Sequence, residues 1–278
     1  MTQPFSSEIH YAHGYESSHH AMFRRRSAQK QGAFFLPYLQ SGMTLLDCGC
    51  GSGTITVGLA EAVMPGQAIG IDVATSEIDV ARSSLGESKP ANVIFEYGDL
   101  YRLGFADATF DALFCHNVLE HLEEPLTALR EMYRVLKPGG VMGIRDADMG
   151  GTLLHPTNVQ LDQWFSLYEA DWCGVAGDAR FGRRLPGLCK TLPFASILIT
   201  ASFDVYSDPT GIQLIADIGA SRCREPDFVQ RVIDGASTTR DELDLMQQAW
   251  RRWQSEPDAF AAIAHVEVVC HKHGEQRL

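Results

Sequence analysis

The stretch LLDCGCGSGTIT, Leu45–Thr56, decides the fold. An apolar run ends in an acid, Asp47, and glycines follow at alternate positions: Gly49, Gly51 and Gly53. TITVGLAEAVM then reads as a helix. Glycines between a strand and a helix let a ligand touch main-chain atoms, and amides at a helix start favour negative or polar ligand groups. The stretch therefore reads as the first strand, loop and helix of a ligand-binding α/β unit.

Strand-like and helix-like pieces alternate downstream. QAIGIDVA reads as a second strand. TSEIDVARSSLG reads as a helix with Thr75 or Ser76 as N-cap and Gly86 as its stop. NVIFEYGDL gives a third strand. TFDALFCHNVL gives a fourth, with Phe110, Ala112 and Phe114 on one face and Leu113 and Cys115 on the other. PLTALREMYRVLK is an amphipathic helix ended by Lys137-Pro138-Gly139-Gly140, and VMGIRDA is a fifth strand. This alternation predicts a mostly parallel sheet with helices on both faces. Ligands of such sheets bind at the carboxyl ends of the strands. That places the candidate site at 47–53, 72–75, 98–101, 115–121 and 145–149. Beyond Gly150 the rhythm breaks: 157–194 look helical, ASILITASFDVY (195–206) is β-rich, helical pieces cross 209–262, and Ile263–Cys270 alternates as a strand.

Bulk properties narrow the function. The chain has 278 residues, 45 % of them apolar, enough for one large domain with a sizeable core. A formal net charge of −12 gives no long-range attraction for nucleic-acid phosphates, so a small-molecule partner is expected. No apolar run is long enough to span a membrane, and the polar, histidine-rich start lacks the pattern of a secretory signal, so the expectation is cytoplasmic. Seven cysteines without a CxxC pair argue against a disulfide framework or structural zinc. No metal is expected.

Acids recur at strand ends. Asp72 ends the second strand, about where an acid that binds ribose hydroxyls stands in dinucleotide folds. Asp99 follows the third, placed to accept from an exocyclic amine. Backbone approach, an acid for ribose and an acid for adenine make a nucleoside site. A nicotinamide dinucleotide would want the last glycine at Thr54; it stands at Gly53.

DCGCGSG, GIDVATSE, YGDL, FDALFCHNVLEHL and RVLKPGGV, in order over Thr44–Ala147, resemble the motifs of class I S-adenosylmethionine (SAM)-dependent methyltransferases, most nearly the ubiquinone/menaquinone-biosynthesis-like small-molecule branch. The resemblance implies a Rossmann-like, doubly wound, mostly parallel seven-stranded sheet. It further implies an N-terminal leader and lid helix over 1–40 and a methyltransferase domain over 41–278, with helical substrate-specificity insertions at about 151–194 and 209–262. It implies SAM as cofactor and S-adenosylhomocysteine (SAH) as its product. Gly49, Cys50 and Gly51 would lie against the methionine part, and Asp47 would orient the loop or meet the cofactor amine. Asp72 would take the ribose hydroxyls, Val73 and Leu100 would lie beside the adenine, and Asp99 would meet the adenine amine. His116 and Asn117 would lie near the sulfonium end. Tyr15 and Arg26 would close over the cofactor carboxylate.

Methyl transfer to oxygen benefits from a general base. His116 and Asp146 are the candidates by position after the fourth and fifth strands. The acceptor is expected to be an apolar or aromatic small molecule, with O-, C- and N-methylation open, and the chain a monomer or homodimer. Trp164, Tyr168 and Trp172, at i, i+4 and i+8, read as core or as the wall of an aromatic pocket. Arg180, Arg183 and Arg184 read as solvated, or as contacts for an anion. Alternatives in other classes are a non-methylating SAM-binding cyclase or isomerase and an NAD(P)-dependent oxidoreductase.

Overall fold

A computed structural model of the chain describes residues 22–84, 90–175 and 177–274. Five parallel strands form its centre: β1 (Leu45–Cys48), β2 (Ala68–Asp72), β3 (Val93–Tyr97), β4 (Phe110–His116) and β5 (Leu136–Ala147). Their order is β3-β2-β1-β4-β5. The winding reverses between β1 and β4, which opens a crevice at the carboxyl ends of those two strands. Three further strands are β6 (Leu153–His155), β7 (Phe194–Tyr206) and β8 (Phe260–Lys272). β8 runs antiparallel to β5 on one side and to β7 on the other.

The sheet thus has eight strands, one more than the sequence predicts. β5 pairs with β8 only over His265–His271, which leaves the start of β8 unpaired on that side. The three residues of β6 pair with Phe260–Ala262 and complete it. β8 also begins inside the segment read as a helical insertion ending at 262.

Residues along each strand alternate between two cores. On one face Leu46, Leu113, Met142 and Val268 pack with Leu129 and Met132 of α4 (Pro125–Val135). On the other, Leu45, Phe114 and Val269 pack with Ile55 and Leu59 of α2 (Thr54–Val63) and Ile78 of α3 (Thr75–Ser84). Phe110 departs from the predicted face. A register irregularity between Phe110 and Ala112 turns it into the first core, edge-on to Phe105.

A third core sits apart, built by α5 (Val159–Val175), α7 (Pro209–Arg222), α8 (Pro226–Asp234) and α9 (Arg240–Trp253). α6 (Leu185–Cys189) lies between α5 and β7 in the chain. α9 starts at a reciprocal cap: Thr239 Oγ1 accepts from the Glu242 amide, and Glu242 Oε2 accepts from the Thr239 amide. Trp164, Tyr168 and Trp172 are all buried in this third core, stacked or edge-on in sequence, with Trp250 beside Trp164.

Residues 1–21 of the expected leader, with Tyr15, and the Gly86 stop lie outside the described residues. The described part of the lid segment is not one helix. It holds the short α1 (Ala28–Gln31) and a 3-10 turn at Leu36–Tyr38, with Gly32 and Pro37 between or within them. Arg25 ties this segment to Asp208 at 2.7 Å, and Gln31 Nε2 donates to Asp204.

Candidate active site

The loop after β1 is held by β2. The Gly49 and Cys50 amides both donate to the Ile71 carbonyl, at 2.8 and 2.9 Å. Gly49, at φ +75°, packs so tightly that a Cβ there would lie 2.3 Å from Val118 Cγ2. Gly51, at φ +50°, differs: a Cβ would meet nothing nearer than Glu77 Oε2 at 3.9 Å. Its backbone lines a groove together with Phe23, Arg26, Asp72, His116 and Asn117. Gly49 is therefore required by the protein's own packing, whereas Gly51 leaves space for something else.

Asp72 clamps the loop across the groove. Its Oδ2 accepts from the Gly51 amide and its Oδ1 from the Ala74 amide, both at 2.9 Å. Burial raises its pKa above the usual carboxylate value, and the amides oppose that rise. Asp47 lies deeper, 2 % exposed, and accepts a 2.6 Å hydrogen bond from Thr56 Oγ1. Burial, with the nearby Asp72 charge adding to it, pushes Asp47 up to about 7. Beyond Asp72 a second cavity runs between Val73, Asp99, Leu100, Val118 and Leu122. Asp99 Oδ1 accepts from the Tyr101 amide at 2.8 Å, which fixes the turn after β3. Cys50 lines the groove beside Gly51.

Residues 116–121 join groove to interior. His116 is buried, with Nδ1 3.1 Å from the Arg145 carbonyl and Nε2 unpartnered. The carbonyl only accepts, so Nδ1 carries the proton and Nε2 a lone pair. Burial, and the positive Arg26 and Arg145, hold the His116 ring neutral. Asn117 stands at φ +53° with Oδ1 unpartnered. It lines both the groove and a large chamber beneath the third core. Phe23 and Arg26 also line both.

Asp146 is placed differently from expectation. It is fully buried and lines neither groove nor chamber; its Oδ1 accepts from the Val118 amide at 3.0 Å. The residue on the chamber wall is Glu120, which the sequence reading passed over. Glu120 Oε2 accepts from the Ala147 amide at 2.6 Å, and Oε1 lies 3.5 Å from His121 Nε2. Burial and the adjacent Asp146 raise the Glu120 pKa well above the usual carboxylate range. The available signal was its position: an acid between Leu119 and His121, just past β4, where the fold puts the site.

The chamber is walled by Trp164, Phe165, Tyr168, Trp172 and Trp250, with Glu120, His265 and Asp204 among its polar residues. The aromatic stripe of α5 is thus both core and wall. The three arginines after it are engaged elsewhere: Arg180 with Glu169, Arg183 with Asp148 and Arg184 with Asp178, at 2.7, 2.6 and 2.5 Å. Three cysteines of the region after Gly150 do not converge: Cys189 and Cys223 lie in different cores and Cys173 is exposed.

A doubly wound sheet, a glycine cradle at its switch point and a separate helical chamber over the strand ends define a class I SAM-dependent methyltransferase. The chain belongs to the family described as "Methyltransferase domain", which matches residues 39–256. It is 31 % identical to the probable methyltransferase ltbC of Aspergillus luteorubrus, over 94 % of this chain and 97 % of that protein. It is also 31 % identical to demethylmenaquinone methyltransferase of Lactococcus lactis, over 54 % of this chain and 55 % of that one. Among solved structures, the YcgJ protein from Bacillus subtilis shares the fold at TM-score 0.59 and 16 % identity, covering 89 % of this chain and all of that one.

Proposed function

We propose that this enzyme methylates an apolar aromatic small molecule that loses a proton in the reaction. The observation that carries the reading is the meeting of a glycine-cradled groove with an aromatic chamber at Phe23, Arg26 and Asn117. The residues suit a sulfur nucleoside. Open space at Gly51 admits a ligand against the main chain, and the unpartnered Asn117 Oδ1 awaits a donor. Gly49, Cys50 and Gly51 cradle the methionine part, Asp47 and Asn117 face its amino group, and Arg26 its carboxylate, with Tyr15 assigned there by resemblance. Asp72 accepts from the ribose hydroxyls; Val73, Leu100 and Asp99 receive the adenine.

When bound, SAM supplies a methyl group on a sulfonium and leaves as SAH. The protein's part is alignment, exclusion of water and removal of the acceptor's proton. The acceptor lies along the wall formed by Trp164, Tyr168 and Trp172, with its nucleophilic atom toward Asn117. Glu120, on the chamber wall with a raised pKa, takes the proton. Asp146 positions the turn carrying Glu120 by holding the Val118 amide. His116 presents a neutral acceptor nitrogen to the groove.

Residues 1–40 serve as a lid, with Phe23 and Arg26 as its contacts to groove and chamber. Residues 41–278 form the catalytic domain with its insertions, and the net charge of −12 suits a cytoplasmic enzyme without nucleic-acid substrates. No helix among the described residues is long and apolar enough to cross a membrane. The first test is calorimetric titration with SAM and SAH, with NAD as control. Binding of both sulfur nucleosides, lost in Asp72→Ala, is expected; a folded, ligand-free protein that binds neither refutes the reading.

A further inference from the structure

Several buried polar atoms on the chamber wall lack a hydrogen-bond partner, and two of them, His265 Nε2 and Trp250 Nε1, have opposite hydrogen-bonding demands. His265, on β8, is 2 % exposed. Its Nδ1 lies 3.1 Å from the Ile263 carbonyl, which only accepts, so Nδ1 holds the proton and Nε2 the lone pair. Nε2 has no hydrogen-bond partner; the nearest carboxylate oxygen, Asp204 Oδ2, is 3.9 Å away and ionised carboxylates cannot donate. Burial and the charge of Arg145 hold this ring neutral, with a pKa of about 3. The site at His265 therefore requires a donor.

Trp250 has the reverse demand. It is 1 % exposed, and its indole Nε1–H, a donor only, has no partner. Gly219 faces this edge. A Cβ there would lie 2.2–2.5 Å from Cε2, Cδ2 and Nε1, so only a glycine fits where α7 packs on the indole. Trp250 and Gly219 both line the chamber. The site at Trp250 requires an acceptor.

Ring contacts set the order of the two sites along the chamber wall. The His265 ring is 5.7 Å from that of His116, which lines the groove, so His265 marks the groove end. From the groove side, His121 stacks on Trp172 at 5.1 Å and 8°. The wall continues through Tyr168, Trp164 and Trp250 in steps of 5.7, 4.8 and 5.1 Å. Several rings in succession make a track for a flat, multi-ring ligand. Orphaned buried donors and acceptors each cost free energy until a ligand pairs them, and a site built this way discriminates strongly against analogues lacking the matching group.

We propose that the acceptor is a planar hydroxyaryl ketone: its hydroxyl donates to His265 Nε2 at the groove end, and its carbonyl oxygen accepts from Trp250 Nε1 at the far end. This rests on the methyltransferase reading and deepens it. The hydroxyl on His265 is the one methylated. Its O–H bond breaks as His265 Nε2, which holds that hydrogen bond, takes the proton and relays it to Glu120 on the same chamber wall, and the oxygen forms the new bond to the methyl carbon as the sulfur–methyl bond breaks.

The test uses the full-length protein loaded with SAH and three matched three-ring probes in calorimetry. These are 7-hydroxyflavone, flavone (no hydroxyl) and 7-hydroxyflavan (no carbonyl). The expected result is that 7-hydroxyflavone binds at least tenfold more tightly than either. In Trp250→Phe the advantage over 7-hydroxyflavan disappears while 7-hydroxyflavan itself binds as before. Equal binding of the three probes to wild-type protein overturns the proposal, as does failure of 7-hydroxyflavone to bind. So does a folded Trp250→Phe that retains the carbonyl advantage. If Trp250→Phe does not fold, Trp250→Leu takes its place, because 7-hydroxyflavan lacks ring planarity as well as the carbonyl and only loss of the indole N–H isolates the carbonyl contact. Saturation with SAH in the same calorimeter reports separately on the cofactor reading, so the two can fail independently.

Discussion

Replacing Asp47 by asparagine isolates a charge that the fold holds at a cost. The carboxyl is 2 % exposed, has one hydroxyl donor, Thr56, and has Asp72 as a neighbour. Its pKa rises from the ordinary 3.8 to about 7. That rise of about three pH units is worth ~4 kcal/mol at most, since each unit is about 1.4 kcal/mol. The sign follows from proton uptake. Below pH 4 both folded and unfolded chains hold the proton, so the group is neutral to stability. Between about pH 4 and 7 the unfolded chain releases its proton while the folded one retains it, and stability falls. Above 7 the loss levels off. An asparagine side chain at this position has no proton to lose, and its amide oxygen still accepts from Thr56. Asp47→Asn should match the wild type near pH 4 and exceed it at pH 8 by up to ~4 kcal/mol, on the order of 10 °C in melting temperature. Urea unfolding of the ligand-free protein across pH 4–8 measures this. A variant no more stable than wild type at pH 8, or one whose gain persists unchanged at pH 4, would show that Asp47 is not the buried neutral acid described. The same charge bears on binding: SAH affinity in the wild type should rise from pH 6 to 8 as Asp47 ionises beside the ligand's amino group, and this rise should vanish in Asp47→Asn.

Three further outcomes are expected. Gly51→Ala should weaken SAH binding by tenfold or more in calorimetry, because its Cβ enters the groove and no protein side chain stands in the way; Gly49→Ala should instead lower the melting temperature, since its Cβ collides with Val118. Glu120→Gln should cut turnover roughly 10²-fold or more without changing SAH affinity, and should remove a rising limb in the pH–rate profile. Asp146→Asn should move that limb to lower pH, because the Asp146 charge is one of the causes raising Glu120; an unmoved limb would separate the two carboxyls.

The sequence made the parallel half of the fold legible because each element there is local. Asp47, the three glycines, Asp72 and Asp99 all stand within a few residues of a strand end, and their periodicity marks where those ends are. Residue-by-residue reading failed where tertiary pairing decides. β6 is three residues long and exists as a strand only because β8 offers it an unpaired edge. Phe110 reads as one face by alternation and lies on the other because of a register irregularity in a long-range pairing. The different placements of Asp146 and Glu120 have a similar cause. Both follow strands, and only the path of the Leu119–His121 turn puts one beneath the backbone and the other on the chamber wall. His265 and Trp250 carried no pattern of their own; their pairing demands emerge only when their neighbours are known.

β8 pairs with β5, β6 and β7, and it comes last among the strands. During synthesis β5 is therefore finished long before its neighbour exists. The roughly 110 residues between Ala147 and Phe260 take on the order of ten seconds to translate at about 5–20 residues per second. Through that interval the nascent chain carries an open strand edge flanked by apolar side chains, a template for pairing with other chains. Slow translation, or loss of β8 by premature termination, prolongs that exposure, so yield in the cell should depend on holdase chaperones far more than the finished sheet would suggest.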